Sequence, residues 1–331
     1  MQRQKIELYT ERTFSRKLSD TFDFLSENGK TLFKFLAYLL LPVCAVQAVG
    51  MNTYMENIFA FDNIDAIDNE GMVKFIGGYG AFMLAMLVGT TLCASLIYTL
   101  VRVYNEREER LEGITLSELR PMLLSGAWKT VKMGFFIIVM ATVIITLMAI
   151  IGAAAGVAAG SGLSVFLLVI GFIALFACFI PLALALPIYL IEEDAKLWPS
   201  LTKALRLGFN IWGGIFGVLL IVGFIANFIQ GVASIPWYIM IGVKTVLTGI
   251  DSASPMTSSP LYSFGTYLFG VIQSFSMYVG YTITLVATAM LYGHAAEKVD
   301  GVSVERDVDN FEQMGDENED DDLSLFDSPK P

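Results

Sequence analysis

The sequence predicts an all-α integral membrane protein that crosses the bilayer with six helices. The chain of 331 residues is 55% hydrophobic and only 16% charged, whereas soluble domains carry about 25% charged residues. A helix needs about 20 predominantly apolar residues to cross a bilayer, and stretches of that kind occur six times. The predicted spans are Leu32–Val49, Val73–Val101, Met133–Val157, Leu163–Ile191, Ile211–Ile235 and Phe264–Tyr292.

The placement of lysine and arginine predicts the orientation of these spans. Six basic residues lie in 1–31, six in 102–132, three in 192–210 and three after the sixth span. The alternate loops hold almost none. Because cytoplasmic loops collect positive charge, we expect both termini in the cytoplasm.

Each odd-numbered span follows a segment whose apolar residues recur every three or four positions, which is helical spacing. Basic residues flank each segment, as in helices that lie flat on an anionic membrane surface. We therefore predict three membrane hairpins, each preceded by a cytoplasmic amphipathic helix. The apolar stripes are Phe14, Leu18, Phe22 and Leu25; Leu116, Leu119, Leu123 and Ala127; and Leu197, Leu201, Ala204 and Leu205.

The net charge of −11 belongs mostly to the C-terminal end. From Glu297 onward there are 13 acidic and three basic residues, a net charge of −10. Acidic segments with few apolar residues stay disordered. The predicted organisation is an N-terminal amphipathic segment at 1–31, a transmembrane domain at 32–292, a cytoplasmic helix at 293–314 and a disordered acidic tail at 315–331.

The acidic tail has two interpretations. It is either a solvated segment that keeps the C-terminus away from an anionic membrane, or a docking peptide for a cytoplasmic protein. In the second case Leu323, Leu325 and Phe326 form the contact. The letters DLSLF are similar to the peptide by which bacterial proteins bind the replication sliding clamp, but they differ at the first position, which is usually glutamine.

Two segments that follow the second and sixth spans match without gaps. They are YNEREERLEGITL from Tyr104 and YGHAAEKVDGVSV from Tyr292. We interpret them as an internal repeat, in which the spanning helix stops at a glycine and a Thr or Ser then caps the next helix. In the first copy, Thr115 and Glu118 have the spacing of a capping box.

Composition excludes several kinds of catalytic chemistry. The chain has one histidine, His294, and three cysteines, Cys44, Cys93 and Cys178, whereas a catalytic zinc ion takes three protein ligands and a structural one four. Ionisable residues are confined to the edges of the spans, which counts against an ion-coupled transporter. We therefore expect no enzyme, no metal, no cofactor and no nucleic-acid partner, and we interpret His294 as an ordinary residue of the membrane interface.

A set of polar residues in the fifth and sixth spans has two interpretations. These residues either form hydrogen bonds between helices, which is the common role of polar side chains in spans, or line a cavity for a lipid headgroup or small molecule. We favour the first. The set is Asn227, Gln230, Gln273, Ser274 and Thr284.

Two further segments bear on packing. Gly152, Gly156 and Gly160 recur every four residues, so we expect them on one helix face that packs the third span against the fourth. The apolar segment Ile235–Leu247 is short for a span, and it predicts an interfacial helix anchored by Trp237 and Tyr238 or, as the alternative, a re-entrant lid. We also expect proline kinks in the first and fourth spans.

The repeated layout and the segment Ile191–Gly214, IEEDAKLWPSLTKALRLGFNIWGG, resemble a group of bacterial integral membrane proteins of unknown function. That group is related to the membrane domain fused to some glycerophosphoryl diester phosphodiesterases. The resemblance covers about residues 10–305 and implies a six-span helical fold. It does not imply phosphodiesterase activity, which belongs to a separate soluble domain that uses histidines and carboxylates.

These observations favour a non-enzymatic, polytopic protein of the bacterial inner membrane. We expect it to serve envelope maintenance through packing, lipid contact or partner recruitment, with membrane lipids and a cytoplasmic protein at the acidic tail as partners. The alternative is a transporter or flippase-like carrier of an amphipathic small molecule or lipid, which would use the polar set of the fifth and sixth spans.

Overall fold

A computed structural model of the chain describes residues 5–58, 69–250, 256–257 and 259–304. Within these ranges the regular elements are all helices. They are α1 Phe14–Ile58, α2 Asn69–Glu106, α3 Leu116–Ala159, α4 Ser161–Leu182, α5 Ala185–Ile191, α6 Leu197–Asn210, α7 Trp212–Ile250 and α8 Pro260–Asp300.

Six helical segments are long and apolar enough to cross a membrane. They are α1, α2, α3, α7, α8 and the pair formed by α4 and α5. The predicted all-α fold with six membrane-length helices is therefore confirmed. Helices suit this setting because they satisfy every backbone hydrogen bond within one segment, without water.

The predicted amphipathic segments at Phe14–Leu25 and Leu116–Ala127 are not separate helices. They form the first turns of α1 and α3, which continue without a break into the spans. No proline or left-handed residue separates either segment from its span, so the helix propagates. The 45 residues of α1 extend about 68 Å, well beyond the roughly 30 Å apolar core of a bilayer.

The predicted fourth span is divided into α4 and α5 by a turn at Ala183 and Leu184. Pro181 and Pro187 explain the division, because proline has no N–H to donate to the carbonyl four residues earlier. The carbonyl that Pro181 leaves without its usual donor belongs to Ala177, and it accepts the indole N–H of Trp212 at 2.9 Å. The break in one helix thus anchors the start of α7.

The segment Ile235–Leu247 is neither a separate interfacial helix nor a re-entrant lid, because it continues α7 as far as Ile250. Trp237 is only 1% exposed and donates its indole N–H to Asn52 Oδ1 of α1 at 2.9 Å. Gly270 of α8 makes room for this ring, since a Cβ there would lie 3.4 Å from Trp237 Nε1. A buried hydrogen bond therefore fixes the aromatic residue that the sequence suggests as an interface anchor.

Helix α8 lies at the centre of the molecule and packs against α1, α2 and α7. Small residues allow the close approach: a Cβ on Gly280 would lie 3.2 Å from the backbone oxygen of Ala226 in α7. Helices α3 and α4 pack on each other, with α3 also against α2 and α4 also against α6, and the most apolar stretch of α3 has no buried residue. This outer pair presents apolar side chains where lipid would lie.

A segment that we call the N-terminal strap, residues 5–13, crosses the ends of α2 and α8 before α1 begins. Its closest contact is at Gly293 of α8, where an added Cβ would lie 2.0 Å from the carbonyl oxygen of Leu8. Such contacts between backbone and Cβ do not relax by a side-chain rotation. The strap therefore lies directly on the backbone of α8.

We predict that Gly293→Ala displaces the strap and lowers the free energy of unfolding by about 1–3 kcal/mol, the usual cost of overpacking. Thermal unfolding in mild detergent measures the loss. Tryptic cleavage after Arg12, whose side chain is 1% exposed, should also become faster. Gly223→Ala is the control, because an added Cβ there meets nothing within 4 Å. Equal behaviour of the two variants would contradict the close contact.

Candidate functional site

The structure divides the predicted polar set instead of bringing its members together. Gln273 and Ser274 lie in the core at 6% and 2% exposure, whereas Asn227 is exposed. Gln230 and Thr284 are half-buried. The division follows from α7, whose buried face includes Val222 and Ala226, because Asn227 is turned about 100° away from Ala226 on a helix. The amide of Asn227 bonds within its own helix, to the Gly223 carbonyl at 2.8 Å.

Hydrogen bonds between helices tie α8 into the core. Tyr278 Oη donates to Gln47 Oε1 of α1 at 2.7 Å. The hydroxyls of Tyr98 in α2 and Thr288 in α8 lie 2.8 Å apart. Sequence reasoning did not single out Gln47 or Tyr98, although a glutamine inside an apolar run is a signal that could have identified Gln47. None of these bonds involves a member of the predicted polar set, so an interhelical role for that set stays a prediction.

Two buried oxygens of α8 have no hydrogen-bond partner among the described residues: Gln273 Oε1 and Ser274 Oγ. Most buried polar groups in proteins have a partner, and the exceptions often mark functional positions or bound water. One turn earlier, Gly270 faces Ala48 and Trp237. Among the described residues, these two buried oxygens therefore remain without a hydrogen-bond partner where α8 meets α1 and α7.

The N-terminal strap fastens the end of α2 through backbone hydrogen bonds. The ammonium of Lys5 donates to the carbonyls of Asn105 at 2.9 Å and Arg107 at 3.2 Å. The N–H of Ile6 donates to Tyr104 Oη at 3.2 Å. The side chain of Tyr104 thus meets the strap at the position where the first copy of the repeat begins.

At its other end the strap covers His294, which is buried and not an ordinary interfacial residue. The backbone N–H of Arg12 donates to His294 Nδ1 at 2.9 Å, so that nitrogen carries a lone pair. The Arg12 guanidinium bonds Asp20 Oδ2 at 2.7 Å and the Leu8 carbonyl at 2.8 Å. The histidine therefore serves as a hydrogen-bond acceptor that holds the strap.

The two repeat tyrosines each reach a paired carboxylate. Tyr104 Oη lies 3.3 Å from Glu27 Oε1, which Arg110 also bonds at 2.5 Å. Tyr292 Oη donates to Glu192 Oε1 at 2.6 Å, and Lys203 bonds the same oxygen at 2.7 Å. In both copies of the repeat, the tyrosine hydroxyl therefore bonds a carboxylate that is also paired with a cation.

The repeat glycines both adopt positive φ, 69° at Gly113 and 64° at Gly301. Gly301 ends α8 as expected, but α2 stops at Glu106, before its glycine. Thr115 is the N-cap of α3 without the predicted capping box, because its hydroxyl donates to Glu118 Oε1 at 2.8 Å instead of accepting a backbone N–H. The two copies therefore differ in where the helix stops.

Two of the three glycines of the third span share a packing face toward α4, and the third lies in a turn. An added Cβ would lie 2.9 Å from Leu168 at Gly152 and 3.4 Å from Ser164 at Gly156, so both face α4. Gly160 forms the turn between α3 and α4 with φ 89°. The order of these contacts makes α3 and α4 antiparallel. Gly160 reverses the chain because glycine adopts positive φ readily.

An apolar groove of about 690 Å³ lies between α3, α4 and α6. We call it the α3–α4–α6 groove. Its walls run from Ile137 to Met148 on α3, from Gly171 to Leu182 on α4 and from Trp198 to Phe209 on α6. Cys178 lines the groove and is exposed, whereas Cys44 and Cys93 are buried.

Comparison of the chain with protein-family models, curated proteins and solved structures finds no match. The relationship to the bacterial membrane proteins named above stays a prediction. Within the described ranges, His, Cys, Asp and Glu form no group of three that would hold a metal ion. Leu323, Leu325 and Phe326 lie outside the described residues, as does the part of the predicted 293–314 helix beyond 304, so tail docking also stays a prediction.

We predict that Tyr278 and Gln47 are energetically coupled by about 0.6–1.7 kcal/mol, the range for hydrogen bonds between membrane helices. The variants Tyr278→Phe, Gln47→Leu and the double variant form a thermodynamic cycle, measured by unfolding in mixed detergent micelles. Tyr238→Phe is the control because its ring is exposed. Additive losses in the double variant would show that the bond contributes nothing.

Proposed function

We propose that the chain is a non-enzymatic, polytopic protein of a bacterial inner membrane that serves envelope maintenance by holding membrane lipid. In this proposal six spans form three hairpins, amphipathic segments precede them at the cytoplasmic surface, and both termini and the acidic tail lie in the cytoplasm. The observation that carries the proposal is the α3–α4–α6 groove. Partner recruitment by the tail is a further part of the proposal.

The dimensions of the groove suit one lipid chain. Ile137 and Met148 mark its extent along α3, and a helix rises about 16 Å between them. This is close to half of the roughly 30 Å apolar core of a bilayer, the depth of one leaflet. An acyl chain of one leaflet therefore matches both the length and the apolar character of the walls.

Helix α6 covers one side of the groove with its apolar face. Trp198, Leu201 and Leu205 line the groove at the spacing of one helical face. Another face of α6 is held by ion pairs: Lys203 bonds Glu192 at 2.7 Å, and Arg206 bonds Asp300 at 2.8 Å. An amphipathic helix with this division of faces lies at a membrane surface, where it would cover the end of a bound chain.

A phospholipid with a photoreactive diazirine in its acyl chain tests the proposal. We expect crosslinks on the α3 and α4 walls of the groove. Ala174→Phe should lower the yield by about tenfold, which corresponds to about 1.4 kcal/mol of binding free energy, because Ala174 lines the groove. Ile173→Phe is the matched control, since Ile173 is exposed and lies outside the groove. Equal yields from both variants would overturn the proposal.

A carrier of an amphipathic lipid is the second candidate, and the unpartnered oxygens of Gln273 and Ser274 favour it. Polar groups of that kind would bind a passing headgroup. Their position at the junction of α8 with α1 and α7 would make α8 the wall of the pathway.

If the carrier function is correct, Gln273→Leu abolishes transbilayer movement of a fluorescent phosphatidylethanolamine in reconstituted vesicles, as measured by dithionite quenching. Thr142→Val is the control, because Thr142 is exposed on α3 and its hydroxyl donates to the Ile138 carbonyl of its own helix. Thermal unfolding checks that both variants fold. Unchanged movement in the Gln273 variant would remove Gln273 from the pathway and leave the groove as the basis of function.

A further inference from the structure

A second cavity, of about 300 Å³, lies where α2 ends, α3 begins and α5 ends. Two cations and two hydroxyls line it: Arg102 and Thr99 from α2, and Lys129 and Ser125 from α3. Leu190 of α5 closes one side. We call it the Arg102–Lys129 cavity. It shares no lining residue with the α3–α4–α6 groove.

Lys129 and Arg102 both have N–H donors that form no bond with the described residues. Lys129 Nζ donates to the Tyr189 carbonyl at 3.3 Å and lies 5.3 Å from the centre of the Tyr189 ring, and among the described residues no carboxylate lies within 4.0 Å of it. Arg102 bonds Glu106 through Nε and Glu193 through Nη2. Neither bond uses Nη1, so the guanidinium is held in position with one edge remaining.

The wall that carries these donors is fixed by a close crossing of α2 and α3. A Cβ on Gly126 would lie 2.5 Å from Ser95 Oγ, so a larger residue there would displace the Ser95 hydroxyl. Ser95 Oγ also donates to the Leu123 carbonyl at 2.7 Å. This crossing therefore fixes the backbone that carries the donors of the cavity.

The ammonium of Lys129 has three N–H donors; one bonds the neutral Tyr189 carbonyl, and no described carboxylate forms a salt bridge with it, so donors remain for an anion. Phosphate oxygens accept bonds from ammonium, guanidinium and hydroxyl groups, and such charge-assisted bonds are strong. Thr99, with its 6% exposure, and Ser125 supply the hydroxyls. The donor set fits one phosphodiester.

The residues around the cavity favour a lipid headgroup over a soluble phosphate as its ligand. Trp128 and Leu124, on the same stretch of α3, are 61% and 62% exposed. Lys132 Nζ lies 5.3 Å from the centre of the Trp128 ring. Exposed tryptophans beside basic residues are typical of the membrane interface, so the cavity lies at headgroup depth.

We propose that the Arg102–Lys129 cavity binds the phosphodiester headgroup of an anionic phospholipid. This inference rests on the proposed function only in that the chain contacts lipid, and it concerns a separate site. The bound headgroup places an anion in contact with Lys129, which forms no salt bridge with a carboxylate of the described residues. Arg102 and the two hydroxyls then orient the phosphate between α2 and α3.

Native mass spectrometry of the full, delipidated chain in mild detergent tests the site by titration with phosphatidylglycerol and phosphatidylcholine. We expect the wild type to prefer phosphatidylglycerol, and Lys129→Gln to weaken its binding by about tenfold. Lys132→Gln is the matched control, because Lys132 lies on the same helix outside the cavity and should leave binding unchanged. Equal effects of the two variants would overturn the proposal.

Three further measurements make the outcome decisive. Ser125→Ala changes an exposed hydroxyl and should weaken binding of phosphatidylglycerol by about threefold, so the test does not rest on Lys129 alone. Displacement of the lipid by millimolar inorganic phosphate would assign the site to free phosphate and reject the lipid. Photocrosslinking of the α3–α4–α6 groove should persist in Lys129→Gln, which separates a failure of this site from a failure of the proposed function.

Discussion

The burial of α8 between α1, α2 and α7 is the packing on which the rest of the structure depends. Glycines bring the backbones close at Gly280 and Gly293, and hydrogen bonds from Tyr278 and Thr288 connect α8 to its neighbours. Without a hydrophobic driving force between helices in lipid, close packing and such bonds hold a bundle together. Because α8 takes the centre, α3 and α4 are left at the periphery.

The peripheral position of α3 gives it two different surfaces. Its middle, from Ile137 to Met148, forms one wall of the α3–α4–α6 groove, and nearer its start Ser125 and Lys129 line the Arg102–Lys129 cavity. The most apolar stretch of α3 has no buried residue and is available to lipid, whereas Leu119, Leu123 and Met133 nearer its start are buried in the core. The groove therefore follows from the peripheral position of the middle of α3, whereas the Arg102–Lys129 cavity lies where the start of α3 packs against α2.

The sequence predicted the spans better than it predicted the roles of single residues. Trp237 has the character of an interface anchor, yet Gly270 and Asn52 provide it with a buried position. Asn227 and Gln273 belong to the same predicted set but lie on surfaces of opposite character, because a single residue step turns a side chain by about 100° on a helix. Residue type and span membership did not specify which face is buried.

The sequence by itself determined the all-helical architecture and the six membrane-length segments, since apolar length and backbone hydrogen bonding are local properties of each segment. The concentration of negative charge after Glu297 was equally plain from composition. Only the tertiary structure decided which polar groups meet. Gln47 and Tyr278 are 231 positions apart, and the Arg102–Lys129 cavity is lined by residues of three helices. Such meetings depend on how the helices pack, which no local pattern encodes.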